Sequence, residues 1–159
     1  MQAEACVALL KALKQEGIHT AVDTCGFVSK ETLEKVIPFT DLFLYDIKAF
    51  DNDVHIKCTG QSNKIILENL KYIDSLDKKT EIRFPFVPEL NSGETEKIAT
   101  FLSTLNNVMG IRVLPYHNYA GTKYSSLDID NTLPEKLPND EEIATAKAIL
   151  KSKNIKVLE

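Results

Sequence analysis

The sequence predicts an α/β fold in which parallel strands form part of a barrel and helices cover its outer side. Three observations predict this fold: helical and strand-like segments alternate along the 159 residues, the strand-like segments are mostly apolar, and polar residues follow them at their ends. Alternating helices and apolar strands are typical of a parallel sheet. A chain of this length can bury a real hydrophobic core, so we expect residues 1–159 to form a single domain.

Five helices are predicted from apolar periodicity and from residues that favour helix ends. Residues 3–16 form the first helix, and Gly17 ends it. The last helix begins at Asn139, with Glu142 at the capping-box position. The three helices between them begin near Ser29, Asn63 and Ser92.

Four strands and a short fifth alternate with these helices. They are predicted at residues 18–24, 41–48, 80–87, 110–117 and 155–158. The first strand is apolar and is expected to be buried, although no earlier part of the chain covers its outer edge. Residues 118–138 form a connection longer than is usual in a compact domain, which predicts a functional loop or a wrap over the barrel.

Composition and charge exclude several classes of protein. Apolar residues make up 43% of the chain, charged residues make up 26%, and the net charge is −4. No basic stretch could follow a phosphate backbone, so we expect no nucleic-acid partner. No apolar run approaches the ~20 residues that cross a bilayer, and the polar, acidic start of the chain is unlike a signal peptide. We therefore expect a cytoplasmic protein without a membrane partner.

The three cysteines, Cys6, Cys25 and Cys58, are odd in number and widely spaced. This spacing predicts neither a disulfide framework nor a complete Cys-x-x-Cys metal motif. We expect Cys6 to be a small buried residue of the first helix. Cys25 follows the first strand and could face a site there.

Polar residues follow or lie in each of the four main strands. The strand-end groups are Asp23-Thr24-Cys25-Gly26, Asp46-Ile47-Lys48, Arg83, and Pro115-Tyr116-His117. Each residue alone has an ordinary explanation, such as a loop cap for Asp23, a solvated charge for Lys48 or a structural role for His117. Because ligands of parallel α/β folds bind at the carboxyl ends of the strands, the set together predicts a small-molecule site.

The charges at this edge suit a zwitterionic or carboxylate ligand. Lys48 and His117 can bind a carboxylate. Asp23 and Asp46 can bind an ammonium group, a hydroxyl group or a hard cation. Arg83 lies inside an apolar strand and needs a partner or a cavity, because an unpaired buried charge is costly.

These segments resemble the activating enzymes of glycyl radical enzymes, the pyruvate formate-lyase activating enzyme type, in the radical S-adenosylmethionine (SAM) superfamily. The matching segments are residues 17–27, which include Asp23-Thr24-Cys25-Gly26-Phe27, residues 41–48, 55–63 and 82–88, and Leu114-Pro115-Tyr116-His117. The set is specific, and the resemblance covers nearly all 159 residues. It implies a TIM-barrel-like, partial (β/α)₆ barrel of the radical SAM type, of which the N-terminal strands are missing here.

The resemblance also implies an activity, cofactors and partners. Members of this family are oxidoreductases that cleave S-adenosyl-L-methionine with an electron from a [4Fe-4S] cluster and generate a glycyl radical on a partner enzyme. A flavodoxin or ferredoxin-type protein would donate the electron. Lys48 and His117 would hold the methionine carboxylate of SAM, and Thr24, Asp46 and Ile47 would line the same site.

Two further roles follow from the resemblance. Asp23 and Asp46 would help to bind a monovalent cation near the SAM carboxylate. Arg83 would face the barrel interior, near SAM or the incoming glycyl loop of the partner.

Two motifs of the resembled family are not found in this sequence. They are the cluster-binding Cys-x-x-x-Cys-x-x-Cys motif and the Gly-Gly-Glu-Pro segment that holds the SAM amino group. Both would precede residue 1, so the resemblance implies that the iron–sulfur ligands lie outside this chain. We expect that Met1 is an internal methionine or that the gene is truncated. The chain alone is then expected to bind SAM weakly and to lack SAM-cleaving activity.

Two other functions stay open on the residues alone. An aldolase-like barrel could use Lys48 as a Schiff-base amine, with Asp23 or Asp46 as the base. A non-catalytic module could retain only a docking surface for a glycyl radical enzyme.

Overall fold

Four parallel strands form one open sheet, in the order in which they occur along the chain. The structure is a computed structural model and describes residues 3–119, 124, 126–128, 130 and 132–159. The strands are β1 (Ala21–Thr24), β2 (Leu42–Asp46), β3 (Lys79–Phe86) and β4 (Val108–Pro115). The predicted α/β class is therefore confirmed. Met1 and parts of the predicted connection 118–138 lie outside the described residues.

Helices connect the strands and pack on one face of the sheet. They are α1 (Ala3–Gln15), α2 (Lys30–Val36), α3 (Asn52–Thr59), α4 (Lys64–Ser75), α5 (Thr95–Leu102) and α6 (Asp140–Ser152). Short 3₁₀ turns follow α2 at Ile37–Phe39 and precede α5 at Ser92–Glu94. None of the helices in the described ranges is long and apolar enough to cross a membrane.

The two faces of the sheet differ because successive side chains of a strand point to opposite sides. In β3, Ile82 and Phe84 are fully buried and join the helices in the core, whereas Arg83 points to the other side and is half-buried. We call this other side the open face. Its polar members are Asp23, Asp46, Glu81, Arg83 and Arg112.

The first strand is shorter and less buried than the sequence predicts. It covers Ala21–Thr24, and its residues are exposed or half-buried. Ile18, predicted to lie in the strand, precedes it and is 48% exposed. The prediction of burial is wrong because β1 is the edge of the sheet and has β2 on one side only among the described strands.

Three other local features refine the prediction. Helix α3 was not predicted, and residues 47–51 connect it to the end of β2. The predicted fifth strand is reduced to one parallel bridge between Ile111 and Val157. The caps at Ser29 and Asn139 are confirmed, and the latter forms a complete capping box with Glu142.

Asn63 precedes α4 as predicted, but its side chain does not cap that helix. The side-chain amide donates instead to the carbonyl oxygens of Ala49 and Phe50, at 3.1 and 2.7 Å. Since Asn63 is only 2% exposed, these bonds are made away from water. They fix the segment that leaves the end of β2.

Gly26 allows the loop after β1 to lie against β2. Its φ is +70°, and a Cβ atom there would lie 1.6 Å from the hydroxyl oxygen of Tyr45. Tyr45 is completely buried and donates that hydroxyl to the carbonyl oxygen of Ile66 at 2.7 Å. Only glycine satisfies both the backbone conformation and the space available.

We predict that Gly26→Ala destabilises the fold more than Gly60→Ala does. Both glycines have positive φ, but a Cβ on Gly60 meets open space. Gly60→Ala should therefore lower the free energy of unfolding only by the backbone strain, about 1–2 kcal/mol. Gly26→Ala should cost a further 1–3 kcal/mol or so, because Tyr45 must move. Urea unfolding of the two variants gives the comparison, and equal losses would contradict this account.

Asp41 ties the end of α1 to the start of β2. Its carboxylate accepts hydrogen bonds from Lys14 Nζ at 2.7 and 2.9 Å, from Thr20 N at 2.8 Å and from Thr20 Oγ1 at 3.1 Å. The bonds from Lys14, and then those from Thr20, hold the pKa of Asp41 well below its ordinary value. Asp41 therefore stabilises the fold only where the carboxylate is ionised.

We predict that Asp41→Asn lowers the stability at pH 7 and that this loss shrinks in acid. Because the pKa is lower in the folded state, the contribution is complete above the ordinary value of 3.8 and falls as the pH drops below it. Urea midpoints of both proteins across the acid range test this, with the exposed Asp130→Asn as the control. A difference between the two urea midpoints that does not change with pH would contradict the stabilising role of the ionised Asp41.

Candidate functional site

Two ion pairs join the predicted strand-end residues. Arg83 Nη1 donates to Asp23 Oδ2, so the pair spans from β3 to β1 across the intervening β2. Lys48 Nζ lies 3.2 Å from Asp46 Oδ2 at the end of β2. The expectation that Arg83 needs a partner is thereby met. The structure brings four of the predicted residues together in two pairs.

Lys48 can take a further ligand. Its side chain is 33% exposed and that of Asp46 is 27% exposed, so both reach solvent. Lysine has three N–H donors, and Asp46 uses one of them here. A ligand carboxylate could therefore bind Lys48 without breaking the existing pair.

Ile47 and Thr24 can contribute only in limited ways. The side chain of Ile47 is 1% exposed and belongs to the core, while its backbone N donates to the carbonyl oxygen of Arg83 at 3.0 Å. Thr24 Oγ1 accepts from Gly26 N at 2.9 Å and so holds the turn after β1. A ligand at this edge would meet the backbone of Ile47.

His117 follows β4 and is exposed. Its ring stacks on Tyr119, with ring centroids 4.5 Å apart. Within the described ranges it forms no hydrogen bond with Lys48, Asp46 or Asp23. The structure therefore places His117 at the same end of the sheet but does not bring it into contact with the two ion pairs.

A third ion pair on the open face involves residues that the sequence analysis missed. Arg112 Nε donates to Glu81 Oε1 at 2.9 Å, joining β4 to β3. Arg112 also lies beside Arg83 in the strand register. Charged residues at alternate positions in apolar strands, as at Glu81 and Arg83, were the signal that could have revealed a polar face.

Together with Lys48, which follows β2, the open face carries three acidic and three basic side chains among the described residues. Its ion pairs among the described residues are Asp23–Arg83, Asp46–Lys48 and Glu81–Arg112. A surface of this kind favours a ligand with charges of both signs, because each end of the ligand finds a partner.

Asn91 fixes the backbone of Lys48. Its side-chain amide donates to the carbonyl oxygens of Lys48 and Pro85, at 2.7 Å each, and its Oδ1 accepts from Val87 N at 2.7 Å. Asn91 is 2% exposed, so water cannot replace these bonds. The ends of β2 and β3 are thus joined by one side chain, which the sequence analysis did not single out.

The described residues do not fit an iron–sulfur cluster. No three of their His, Cys, Asp or Glu side chains are grouped so that they could hold a metal ion. Cys6 lies in α1, Cys25 is exposed after β1, and Cys58 lies in α3. Burial raises the pKa of the Cys58 thiol, which disfavours the thiolate that iron requires.

The fold and the strand-end residues define a parallel α/β protein with a candidate ligand site at the carboxyl ends of its strands. The chain belongs to the radical SAM superfamily, whose family model matches residues 1–102. This result confirms the superfamily to which the sequence motifs pointed.

The similar curated proteins are activating enzymes. The chain is 37% identical over 151 residues to the trans-4-hydroxy-L-proline dehydratase activating enzyme of Clostridioides difficile, covering 92% of this chain and 50% of that enzyme. It is 34% identical over 159 residues to the pyruvate formate-lyase-activating enzyme of Streptococcus mutans, covering 94% and 60% respectively. The chain thus spans about half the length of the curated relatives it matches.

A solved structure of similar size has the same fold. It is a domain of pyruvate-formate lyase-activating enzyme from Bacteroides vulgatus ATCC 8482, with a TM-score of 0.82 and 28% identity. The match covers 98% of this chain and 89% of that one. The open parallel sheet described above is therefore the architecture of a radical SAM domain.

We predict that Asn91→Ala lowers the stability of the fold and makes the backbone at the strand-end site less well fixed. Leaving the Lys48 carbonyl and the Val87 N–H without a partner should lower the free energy of unfolding by about 1–3 kcal/mol. The exposed Asn118 provides the control, because Asn118→Ala should change the free energy of unfolding by less than about 0.5 kcal/mol. In an NMR spectrum of Asn91→Ala, the amide signals near Lys48 should broaden. Unchanged signals there would contradict the positioning role.

Proposed function

We propose that this chain supplies the carboxylate-binding side of the SAM site in an activating enzyme for a glycyl radical enzyme. The observation that carries the proposal is the accessible Lys48–Asp46 pair at the end of β2, in a chain of the radical SAM superfamily. The similarity to activating enzymes of glycyl radical enzymes supports the choice of partner.

The donor set suits the methionine end of SAM. Lys48 would donate to the carboxylate, and His117 would reach it after turning away from Tyr119. Asp46 stays beside Lys48. The backbone of Ile47, which links these two residues, would form part of the wall of the SAM site. A ligand with both a carboxylate and an ammonium group matches the paired charges of the open face.

Asp23 and Asp46 belong to the same proposal as ligands of a monovalent cation. Asp23 has a side chain 59% exposed, which leaves oxygen atoms available besides the one that meets Arg83. A cation beside the SAM carboxylate would offset the negative charge that Asp46 brings to the site. Arg83 would remain on the open face, towards SAM and the glycyl loop of the partner.

Members of the superfamily use SAM together with a [4Fe-4S] cluster. Since the described residues do not fit the cluster, the role proposed for these residues is to bind and orient SAM and to meet the partner. The proposal includes a flavodoxin or ferredoxin-type electron donor for the complete activity and a cytoplasmic location.

We predict weak SAM binding that depends on Lys48 and on the ligand carboxylate. In NMR titrations of the full chain, SAM should shift the amide signals of Asp46, Ile47 and Lys48, whereas decarboxylated SAM should shift them little. Lys48→Ala should weaken binding about tenfold, as expected for a lost charge-assisted hydrogen bond. The exposed Lys57→Ala, on the adjacent α3, is the matched control and should bind like the parent chain.

Two results would contradict the proposal. Equal binding by the parent chain and Lys48→Ala would show that Lys48 does not hold the carboxylate. Borohydride trapping of a carbonyl compound on Lys48 would instead indicate Schiff-base chemistry. Micromolar affinity for SAM would overturn the expectation of weak binding.

A further inference from the structure

A buried histidine of α3 has one ring nitrogen fixed and the other free. His55 is 3% exposed, and its Nδ1 lies 2.8 Å from the carbonyl oxygen of Gln61. A carbonyl oxygen can only accept, so Nδ1 carries the proton of the neutral ring. Thr59 Oγ1, at 3.1 Å from Nδ1, donates to the carbonyl oxygen of His55 at 2.8 Å. Nε2 of the neutral ring is therefore a hydrogen-bond acceptor.

Nε2 has no hydrogen-bond partner among the residues that the structure describes. No fully buried side-chain nitrogen or oxygen in that part of the chain lacks a partner, so Nε2 reaches accessible space. The ring lines a cavity of about 210 Å³. The other lining residues are Cys25, Phe27, Lys48, Thr59, Gln61 and Ile66.

The cavity adjoins the strand-end site. Cys25 follows β1 and Lys48 follows β2, so two of its walls belong to the edge where SAM is proposed to bind. Ile66 is buried, whereas Phe27 is 49% exposed and leaves an apolar ring open to solvent. A group that enters the cavity would lie beside the ligand on Lys48.

The walls and the acceptor together select one kind of group. The side chains of Phe27 and Ile66 favour an apolar ring, which gains free energy by leaving water. An apolar group without a donor would bury Nε2 unpaired, which costs free energy. A ring that carries an O–H or N–H group can pack against these apolar side chains and also donate a hydrogen bond to Nε2.

We infer that this cavity is a side-chain subsite for the partner protein, and that it takes a phenol-type side chain whose hydroxyl donates to His55 Nε2. The inference rests on the proposed function, because a polypeptide partner is what brings a side chain to the edge beside Lys48. His55 is then a binding residue for the partner, and its Nδ1–H bond to Gln61 holds the acceptor in place.

The variant His55→Asn separates the two roles of the histidine, which are the Nδ1–H bond to Gln61 and the acceptor at Nε2. The asparagine amide can take the position of Nδ1 and keep the bond to the Gln61 carbonyl, but it provides nothing at the position of Nε2. The probes are p-cresol and toluene, which share a ring and differ by one hydroxyl. A tyrosine peptide and the matching phenylalanine peptide, each with an adjacent glycine, extend the test to polypeptides.

In ¹⁵N spectra of the imidazole rings of the full chain, p-cresol and the tyrosine peptide should shift the Nε2 signal of His55. Each should bind about three- to tenfold more tightly than its counterpart without the hydroxyl, as expected for one net hydrogen bond. His55→Asn should abolish this preference and retain toluene binding. The Nε2 signal of the parent chain needs no variant, so the test holds even if His55→Asn folds poorly.

An Nε2 signal unmoved by p-cresol and by the tyrosine peptide would overturn the inference. If SAM still shifts Lys48 in that experiment, the subsite fails and the proposed function stands. If the tyrosine peptide shifts Nε2 but SAM leaves Lys48 unmoved, the subsite is supported and the SAM site is contradicted.

Discussion

Asn91 donates its amide to the carbonyl oxygens of Lys48 and Pro85, both at 2.7 Å, and so joins the ends of β2 and β3. Two other buried side chains, Glu94 and Asn63, hold the segment that leaves the end of β2 together with this link. Glu94 accepts the backbone N–H groups of Phe50 and Asp51, at 3.1 and 2.7 Å, and Asn63 holds the carbonyl oxygens just before them. Lys48 is thereby held at the strand-end site while the chain turns into α3 and carries His55 to the neighbouring cavity.

The open face differs in kind from the face that packs on the helices. The covered face is stabilised by burial of apolar side chains such as Phe43, Phe84 and Ile111. The ion pairs of the open face are partly solvated, and pairs of this kind contribute little to stability. In the proposed function, these paired charges serve a ligand that carries both charges, as the methionine end of SAM does.

Much of the fold and part of the site could be predicted from the sequence. Asp23, Asp46, Lys48 and Arg83 were found because parallel strands bring their carboxyl ends to one edge, whatever the register. The Glu81–Arg112 pair was missed because it depends on the register between β3 and β4, which no single segment encodes. Helix α3 was missed because its sequence is polar and lacks an apolar stripe. The burial of β1 was overestimated because its apolar sequence predicts burial, whereas among the described strands β1 has a neighbour on one side only.

The central claim is that the end of β2 binds the methionine carboxylate of SAM. A crystal structure of the full chain soaked with SAM tests it most directly. We expect the SAM carboxylate within hydrogen-bonding distance of Lys48 Nζ, about 2.7–2.9 Å, with Asp46 still beside the ammonium group of Lys48. SAM bound on the helix-covered side, for instance in the groove between Phe50 and Phe101, with no ligand at Lys48, would contradict this position.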